Sequence, residues 1–388
     1  MRRFTFVFLC AVGLLLSPQI LQAATYAVGT CKPSLPSFST ISAAVAAVPA
    51  GATVEVCPGT YAEQVVISTP LTLQGIASGD TNRAIIVPPV SGLAVNVTTS
   101  VFGIDYVLSF AAQLLVETGP VNFTNITVDG TNNNLNGSAW LAGIFYESGS
   151  FGAVNGITAR YQIDDGQGVG VFAENGTSIP QTVTIQNSDI HDVDGFGILC
   201  GSNQTPPTLT ATVKGNTVAG ESVGPGISIA IEGATGTIEG NVVSDFMSTG
   251  IFDFGSSNVT ISGNTTTNTE ANLYSFGMDI EGTDDVVKSN LVLNNSGASN
   301  SIGIYLITST ATVQANKIVN SNIAIEFNCT SSSVSGNTII DAATGIDEVP
   351  SIAVTNTYYG VSTIRSECSS AASAAKAKLK LFPKLLMP

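Results

Sequence analysis

The run Asn258-Val259-Thr260-Ile261-Ser262-Gly263-Asn264, followed by Gly277-Met278-Asp279, decides the fold. It contains a short β-branched stretch, an Asn at its end, and later a Gly followed by an aliphatic residue. The same frame returns along the chain. Its Asn members are Asn125, Asn155, Asn187, Asn216, Asn241, Asn264, Asn290, Asn316, Asn337 and Asn356. Its Gly members are Gly143, Gly170, Gly197, Gly226, Gly250, Gly277, Gly303 and Gly345, with Ala324 in that place once. The residue after each is Ile144, Val171, Ile198, Ile227, Ile251, Met278, Ile304, Ile325 or Ile346. Steps between Asn residues shorten from about thirty to about twenty, a period that marks a repeat architecture. Asn tolerates the left-handed backbone of turns, and its amide can bond the Asn of the next coil. The frame therefore reads as scaffold. Strand alternation sends the residue after each Gly inward and the next one outward.

Composition agrees. Of 388 residues only 11% are charged, while 39 are Gly, which suits short strands and tight turns better than helices. One solenoid over residues 24–368 fits the repeat better than two ordinary domains, because solenoids grow by adding coils. Acidic residues number 28 against 13 Lys and Arg, and the central coils hold only Arg160, Lys214, Lys288 and Lys317 as bases. A nucleic-acid partner is excluded on that balance, since phosphate binding needs clustered cations.

Met1-Arg2-Arg3, the apolar run from Phe4 to Leu16 and the small residues ending at Ala24 read as a secretory signal peptide over residues 1–23. The run is too short to span a membrane, so the chain is read as secreted and not transmembrane. In an oxidising compartment disulfides are permitted. Cys31 and Cys57 lie near one end and Cys329 and Cys368 near the other, which suggests one staple at each end. Cys200 is left as a buried small apolar residue. Ser39 to Pro49 predicts a short helix capped by Ser39 or Thr40, with Ile41, Ala44, Val45 and Val48 on one face. Short strands are expected at Thr25–Val28, Thr53–Val56, Val65–Ile67 and Leu71–Leu73, with a turn at Cys57–Tyr61. Residues 369–388 predict either a capping helix that packs Leu379 and Phe382, or a basic tail that meets an anionic surface.

The stretch from Phe38 to Gly75, with its helix and its Val54-Glu55-Val56-Cys57-Pro58-Gly59-Thr60-Tyr61 run, resembles the N-terminal cap and first coils of right-handed parallel β-helix proteins of the pectin lyase-like superfamily. The later rungs resemble that superfamily's generic repeat. The resemblance covers most of the chain from Phe38 to Asn356. It implies an all-β fold, a single right-handed parallel β-helix with a short N-terminal capping helix, and it does not specify an activity. Asp253-Phe254-Gly255 resembles the aspartate motif of the pectin methylesterases. Their glutamine–aspartate and arginine–tryptophan motifs have no counterpart, and Trp140 has no Arg beside it.

Candidate functional residues follow from the outward positions. Asp279, Glu281, Asp284 and Asp285 are the best candidate metal set, with calcium as the ion, because calcium takes several oxygens in irregular geometry. The alternative is a solvated acidic face. Phe145, Phe172, Phe252 and Tyr305 are candidate ligand-binding aromatics that could stack on sugar rings or pack under an inserted loop. Loops are expected at Asn132–Asn134, Asp164–Gly168 and Asn268–Tyr274. His191, between Asp189, Asp192 and Asp194, reads first as a polar turn residue and second as a general base. No catalytic residues are assigned, because a lyase would need a cation for its uronate substrate and the centre is nearly free of cations. The leading expectation is a secreted, monomeric, non-catalytic rod that binds polysaccharide or a cell-envelope glycan. The alternatives are a carbohydrate-active enzyme assisted by calcium and a periplasmic accessory protein.

Overall fold

A computed structural model describes residues 23–77, 84–100, 107–220, 226–268, 274–293, 295, 300–307, 309–349 and 355–368. The expected signal peptide, apart from Ala23, and the expected C-terminal helix or tail lie outside the described residues.

The chain is a right-handed parallel β-helix. Each regular coil contributes two short strands to a 24-stranded back sheet and one to a 13-stranded front sheet. Gln181–Gln186, Asp189–Val193 and Phe196–Ser202 make one such coil. Leu209–Lys214, Thr217–Ala219 and Ile227–Glu232 make the next, in parallel register. At about 4.8 Å per strand, the front sheet's unbroken path gives a rod roughly 50 Å long. The interior is one continuous apolar column. Ile144, Val171, Ile198, Ile251, Met278, Ile304, Ile325 and Ile346 all lie in it, fully buried.

The frame's Gly column has a steric origin. A Cβ at Gly143, Gly170, Gly250, Gly277 or Gly303 would sit 2.6 Å from the carbonyl oxygen of the next coil. At those coils the backbones approach too closely for a Cβ unless one of them shifts. One member differs from the sequence expectation. Phe196 pairs with Ile227 and Ile198 with Ile229, so Ser228 aligns with Gly197 and Gly226 lies outside the column. Ile229 points inward, and Ile227 joins an outer apolar cluster.

The Asn column is a hydrogen-bond ladder buried inside a corner of the coil. Each Asn backbone N–H and Nδ2 donates to the Oδ1 of the Asn one coil on, at 2.8–3.0 Å, from Asn216 through Asn241, Asn264, Asn290, Asn316 and Asn337 to Asn356. Ser188, whose N–H donates to Asn216 Oδ1 at 3.0 Å, begins it. Asn187 and Asn125 instead take the left-handed position just before the ladder, with φ of 52° and 60°. Gly215, Gly240 and Gly263 hold that position in later coils. Asn155 lies one residue earlier still, opposite Gln186.

The helix spans Ile41–Ala47, with Thr40 as its N-cap and Ile41, Ala44 and Val45 buried on the first coil. Glu63 accepts from the N–H groups of Ile41 and Ser42, both at 2.8 Å, and so satisfies two free donors of the first turn. The strands Thr25–Val28, Ala52–Val56, Val65–Ile67 and Leu71–Gly75 match expectation, and Gly59–Ala62 extends the expected turn into a further strand. The disulfides Cys31–Cys57 and Cys329–Cys368 staple the two ends, and Cys200 is buried and unpaired.

Candidate functional site

The front sheet's outer face carries one column formed by the second residue after each Gly. In order it reads Phe145, Phe172, Leu199, Ala230, Phe252, Asp279, Tyr305, Glu326 and Asp347. Two residues further along the strands runs a second column, Glu174, Gly201, Glu232, Phe254 and Glu281. The first half of this face is apolar. The second half alternates rings with carboxyls.

The apolar half is covered. Phe145 and Phe172 stack at 4.4 Å and are both fully buried, with Phe110, Trp140 and Phe196 around them. Strand Val97–Ser100 pairs antiparallel with strand Val107–Val116, and Val97 and Leu108 of this hairpin pack into the same cluster. Thr99 Oγ1 donates to Glu174 Oε1 at 2.6 Å beside it. Phe145 and Phe172 do point out of the coil, as strand alternation requires. The inserted hairpin buries them, so they are not ligand platforms. Removing such rings from water is the larger gain.

The acidic half is where rings remain accessible. Phe252 and Tyr305 are half-buried. Phe252 stacks on Phe254 at 5.9 Å, and Tyr305 on Phe276 at 5.2 Å. Between the two ring pairs in the column stands Asp279, only 8% exposed, whose Oδ1 has no hydrogen-bond partner among the described residues. Burial, with the charges of Glu281 and Glu326 adding to it, holds its carboxyl well above the ordinary range. Glu232 is pushed up to about 7, by burial first and by Glu281 second. Burial also raises the Tyr305 phenol, and the carboxyls around it raise it further. Phe254, Phe276 and Glu232 were not singled out as site residues. Phe254 and Glu232 lie two residues beyond the column, which the strand period alone could have flagged.

The four acids proposed as a metal set divide between two environments. Asp279 and Glu281 stand on the outer face. Asp284 is exposed at a turn with φ of 58°, and its N–H donates to Thr310 Oγ1 at 2.9 Å. Asp285 is buried, and its Oδ1 accepts from Val259 N–H at 2.8 Å. Its other oxygen faces Asp253, and a Cβ at Gly282 would collide with both carboxyls. Among the described residues no three His, Cys, Asp or Glu side chains gather closely enough to hold a metal ion. Strand alternation explains the division, because Asp279 and Glu281 share a face while the following turn sends Asp285 inward.

Asp253 is the surprise inside the coil. It takes the place that Ile231 and Ile280 hold in the neighbouring coils, fully buried. Burial and the facing Asp285 hold its carboxyl well above the ordinary range, with Asp279 adding to the effect. Its resemblance to an esterase motif is thus one of sequence only, since no substrate reaches it there. The acids around His191 are partly structural as well. Asp194 accepts from the N–H groups of Asp164, Gly166 and Gly168 at 2.7–2.8 Å and so fixes the expected loop there.

A family profile described as "Right handed beta helix region" matches residues 208–356. A search of curated proteins finds no significant match. Among solved structures, the lacto-N-biosidase of Eubacterium ramulus superposes with a TM-score of 0.59 at 10% identity, over 89% of this chain and 68% of that one. The Dettilon tailspike protein superposes with a TM-score of 0.50 at 15% identity, over 80% of this chain and 62% of that one. With the coil, the Asn ladder and the capping helix already established, these likenesses concern the fold alone, and the fold they share with this chain is the right-handed parallel β-helix.

Proposed function

We propose that the ring-and-carboxyl half of the front sheet binds a carbohydrate and cleaves a glycosidic bond. The observation that carries this reading is the pair Asp279 and Glu281 on one face, between Phe252 and Tyr305. Glycoside hydrolysis needs two carboxyls of unlike protonation, one to protonate the leaving oxygen and one to activate water. Asp279, the more buried, is the proton donor, because its carboxyl keeps its proton where an ordinary aspartate has lost it. Glu281, less buried, is the base. Alternate residues on a strand lie about 6.8 Å apart, a separation of the order that leaves room for a water between two carboxyls. Tyr305 and Phe252 offer apolar planes on which a sugar ring would rest. The acidic face and the scarcity of bases argue against a polyuronate substrate, so the substrate class is a neutral glycan. The lacto-N-biosidase of similar fold is consistent with such chemistry on this kind of coil. The disulfides at both ends argue for an oxidising, extracytoplasmic location.

The test is turnover. The purified chain is incubated with a panel of neutral polysaccharides and new reducing ends are counted. Asp279→Asn should lower turnover by about 10²-fold or more, the usual weight of a general acid. Tyr305→Ala should raise KM more than it lowers kcat. The two stacked ring pairs also favour a second reading, a non-catalytic glycan-binding module. Binding without products across the panel would overturn hydrolysis in favour of it.

A further inference from the structure

Charge is divided between the two sheets. Arg160, Lys214, Lys288 and Lys317, the bases of the central coils, all stand on back-sheet strands. On front-sheet strands the only base among the described residues is Arg365, in the last strand. It pairs with the inward Ile346, and Glu367 holds its Nε at 2.7 Å. The outer column of the front sheet runs Phe252, Asp279, Tyr305, Glu326 and Asp347, one residue per coil. Rings give way to carboxyls along it, and no Lys or Arg stands in it. The like charges act on one another. After burial, Glu281 and Glu326 raise the Asp279 carboxyl, and Glu326, Asp279, Glu281 and Glu348 raise the Tyr305 phenol. Asp279 is 8% exposed, and its Oδ1 has no hydrogen-bond partner among the described residues.

A cation brought by the ligand would relieve this repulsion. Two groups beside Asp279 are reachable from solvent. Tyr305 is half-buried, with its ring stacked on Phe276 at 5.2 Å. Asp347 is half-buried as well. Its Oδ1 accepts from the Glu348 N–H at 3.1 Å and from the Ser366 hydroxyl, and its Oδ2 makes no hydrogen bond among the described residues. Glu326 stands between these two and is buried, so it acts by charge across a poorly hydrated face and not by contact. A sugar resting on Tyr305 would therefore have Asp279 on one side and Glu326 with Asp347 on the other. An ammonium suits that second side. It brings three N–H donors and no acceptor to carboxylate oxygens, and its charge is drawn to the face of an aromatic ring. From this arrangement we infer that Tyr305, Glu326 and Asp347 select an amino sugar, so that the ligand of the front sheet is a glycan carrying free, protonated amines. The inference rests on the carbohydrate reading and goes beyond it in one respect, by placing positive charge on a backbone that is otherwise neutral.

The experiment titrates the full chain by calorimetry with glucosamine and galactosamine oligomers and with their N-acetylated counterparts, at about pH 6, where amines carry their proton. At least one free-amine oligomer should bind about tenfold or more tightly than its acetylated partner. Sodium chloride at about 0.5 M should remove most of that preference, since a charge contact at a half-buried face is screened. Glu326→Gln and Asp347→Asn should each keep the affinity for the acetylated oligomer and lose most of the preference. Equal or weaker binding of the free-amine oligomers overturns the inference, and so does failure of all of them to bind. A variant that loses both oligomers equally would mark its residue as structural and overturn the assignment. The salt series needs no variant, so the inference stays open to refutation if a substituted chain fails to fold. Oligolysine that binds more tightly than the amino sugars and displaces them would reveal a basic protein partner and also overturn it. Turnover is scored separately. A preference for amines without products sinks the hydrolysis reading alone, whereas products from uncharged glycans with no preference for amines sink this inference alone.

Discussion

Asp253 sits where its neighbours in the column are isoleucines, facing Asp285 across Gly282. A lone ionised carboxylate there would be very costly. The pair avoids that cost by keeping Asp253 protonated, while Asp285, steadied by the Val259 N–H, is pushed up only to about 6. The sign of the linkage follows. Both folded-state values are raised above the ordinary aspartate value of about 3.9. Their contribution to stability is therefore fully present below that value and lost as pH rises through the raised ones. Melting temperature should fall between about pH 4 and pH 7. Asp253→Asn, which keeps the shape and removes the ionisation, should flatten that slope and melt above the wild type at neutral pH. Differential scanning fluorimetry across the range checks it, and identical slopes for the two chains would show that the pair does not titrate as described. The other groups facing the pair are Asp279 and Asp284, and both are acids that steepen the same trend. For Asp279 itself the same direction predicts that turnover declines as pH rises through its raised value, with the proton donor lost.

At the scale of elements, the Asn ladder shows how a polar side chain can be scaffold. Asn264 is fully buried and accepts from the Asn241 N–H and Nδ2 while donating to Ile238 O and Asn290 Oδ1. Asn264→Ala would strand donors on Asn241 and take the side-chain donor away from Ile238 O, in a dry corner, while Asn290 Oδ1 keeps the backbone N–H of residue 264. Leaving such groups unmade costs about 1–3 kcal/mol apiece, so a loss of about 3 kcal/mol or more is expected from urea melts. Asn356, at the last rung among the described residues, is half-buried and accepts from the Asn337 N–H and Nδ2 with no further Asn beyond it in the ladder. Asn356→Ala should cost less than half as much, and equal losses would contradict the ladder's cumulative design. The rungs were legible in the sequence because Asn and Gly recur for reasons of backbone and contact that leave few substitutes. Register was less legible. Asn155 and Asn187 look like ladder residues but lie before it, and Gly226 mimics a column that Ser228 fills, because a one-residue slip is invisible without the partner coil. The candidate site was half legible. Outward direction could be read from the period, whereas the burial of Phe145 and Phe172 depended on a hairpin inserted far upstream, whose packing no local pattern announces. Asp285's inward turn depended likewise on Asp253 in the preceding coil.

For the molecule as a whole, nearest-neighbour contact governs. Each coil bonds only to the coils above and below, so stability is a sum of coil and interface contributions, and the ends are the weak points. The fold answers this at both ends. The helix Ile41–Ala47 packs on the first coil, and Cys31–Cys57 ties the lead-in to the strand Ala52–Val56. At the other end Cys329–Cys368 joins residues separated by 39 in sequence, across the last coils. A closed loop of that length restrains the unfolded end by about 3–4 kcal/mol on chain-entropy grounds. In a quasi-one-dimensional stack that restraint should act locally. Cys368→Ser is therefore expected to lose amide-exchange protection first in the front strands Thr344–Val349 and Thr363–Glu367 and their back-sheet neighbour Thr355–Tyr359. The strands Trp140–Tyr146 and Gly168–Asn175, many coils away, should keep theirs. Turnover on the front sheet is the sensitive readout of how far the fraying reaches, since Glu326 pairs directly with Asp347 while Asp279 lies two strands further in. Exchange measured by mass spectrometry would reveal a graded loss that fades toward the centre. A uniform loss over all coils would mean that the rod unfolds as a single cooperative body, and that the disulfide stabilises the whole rather than its end.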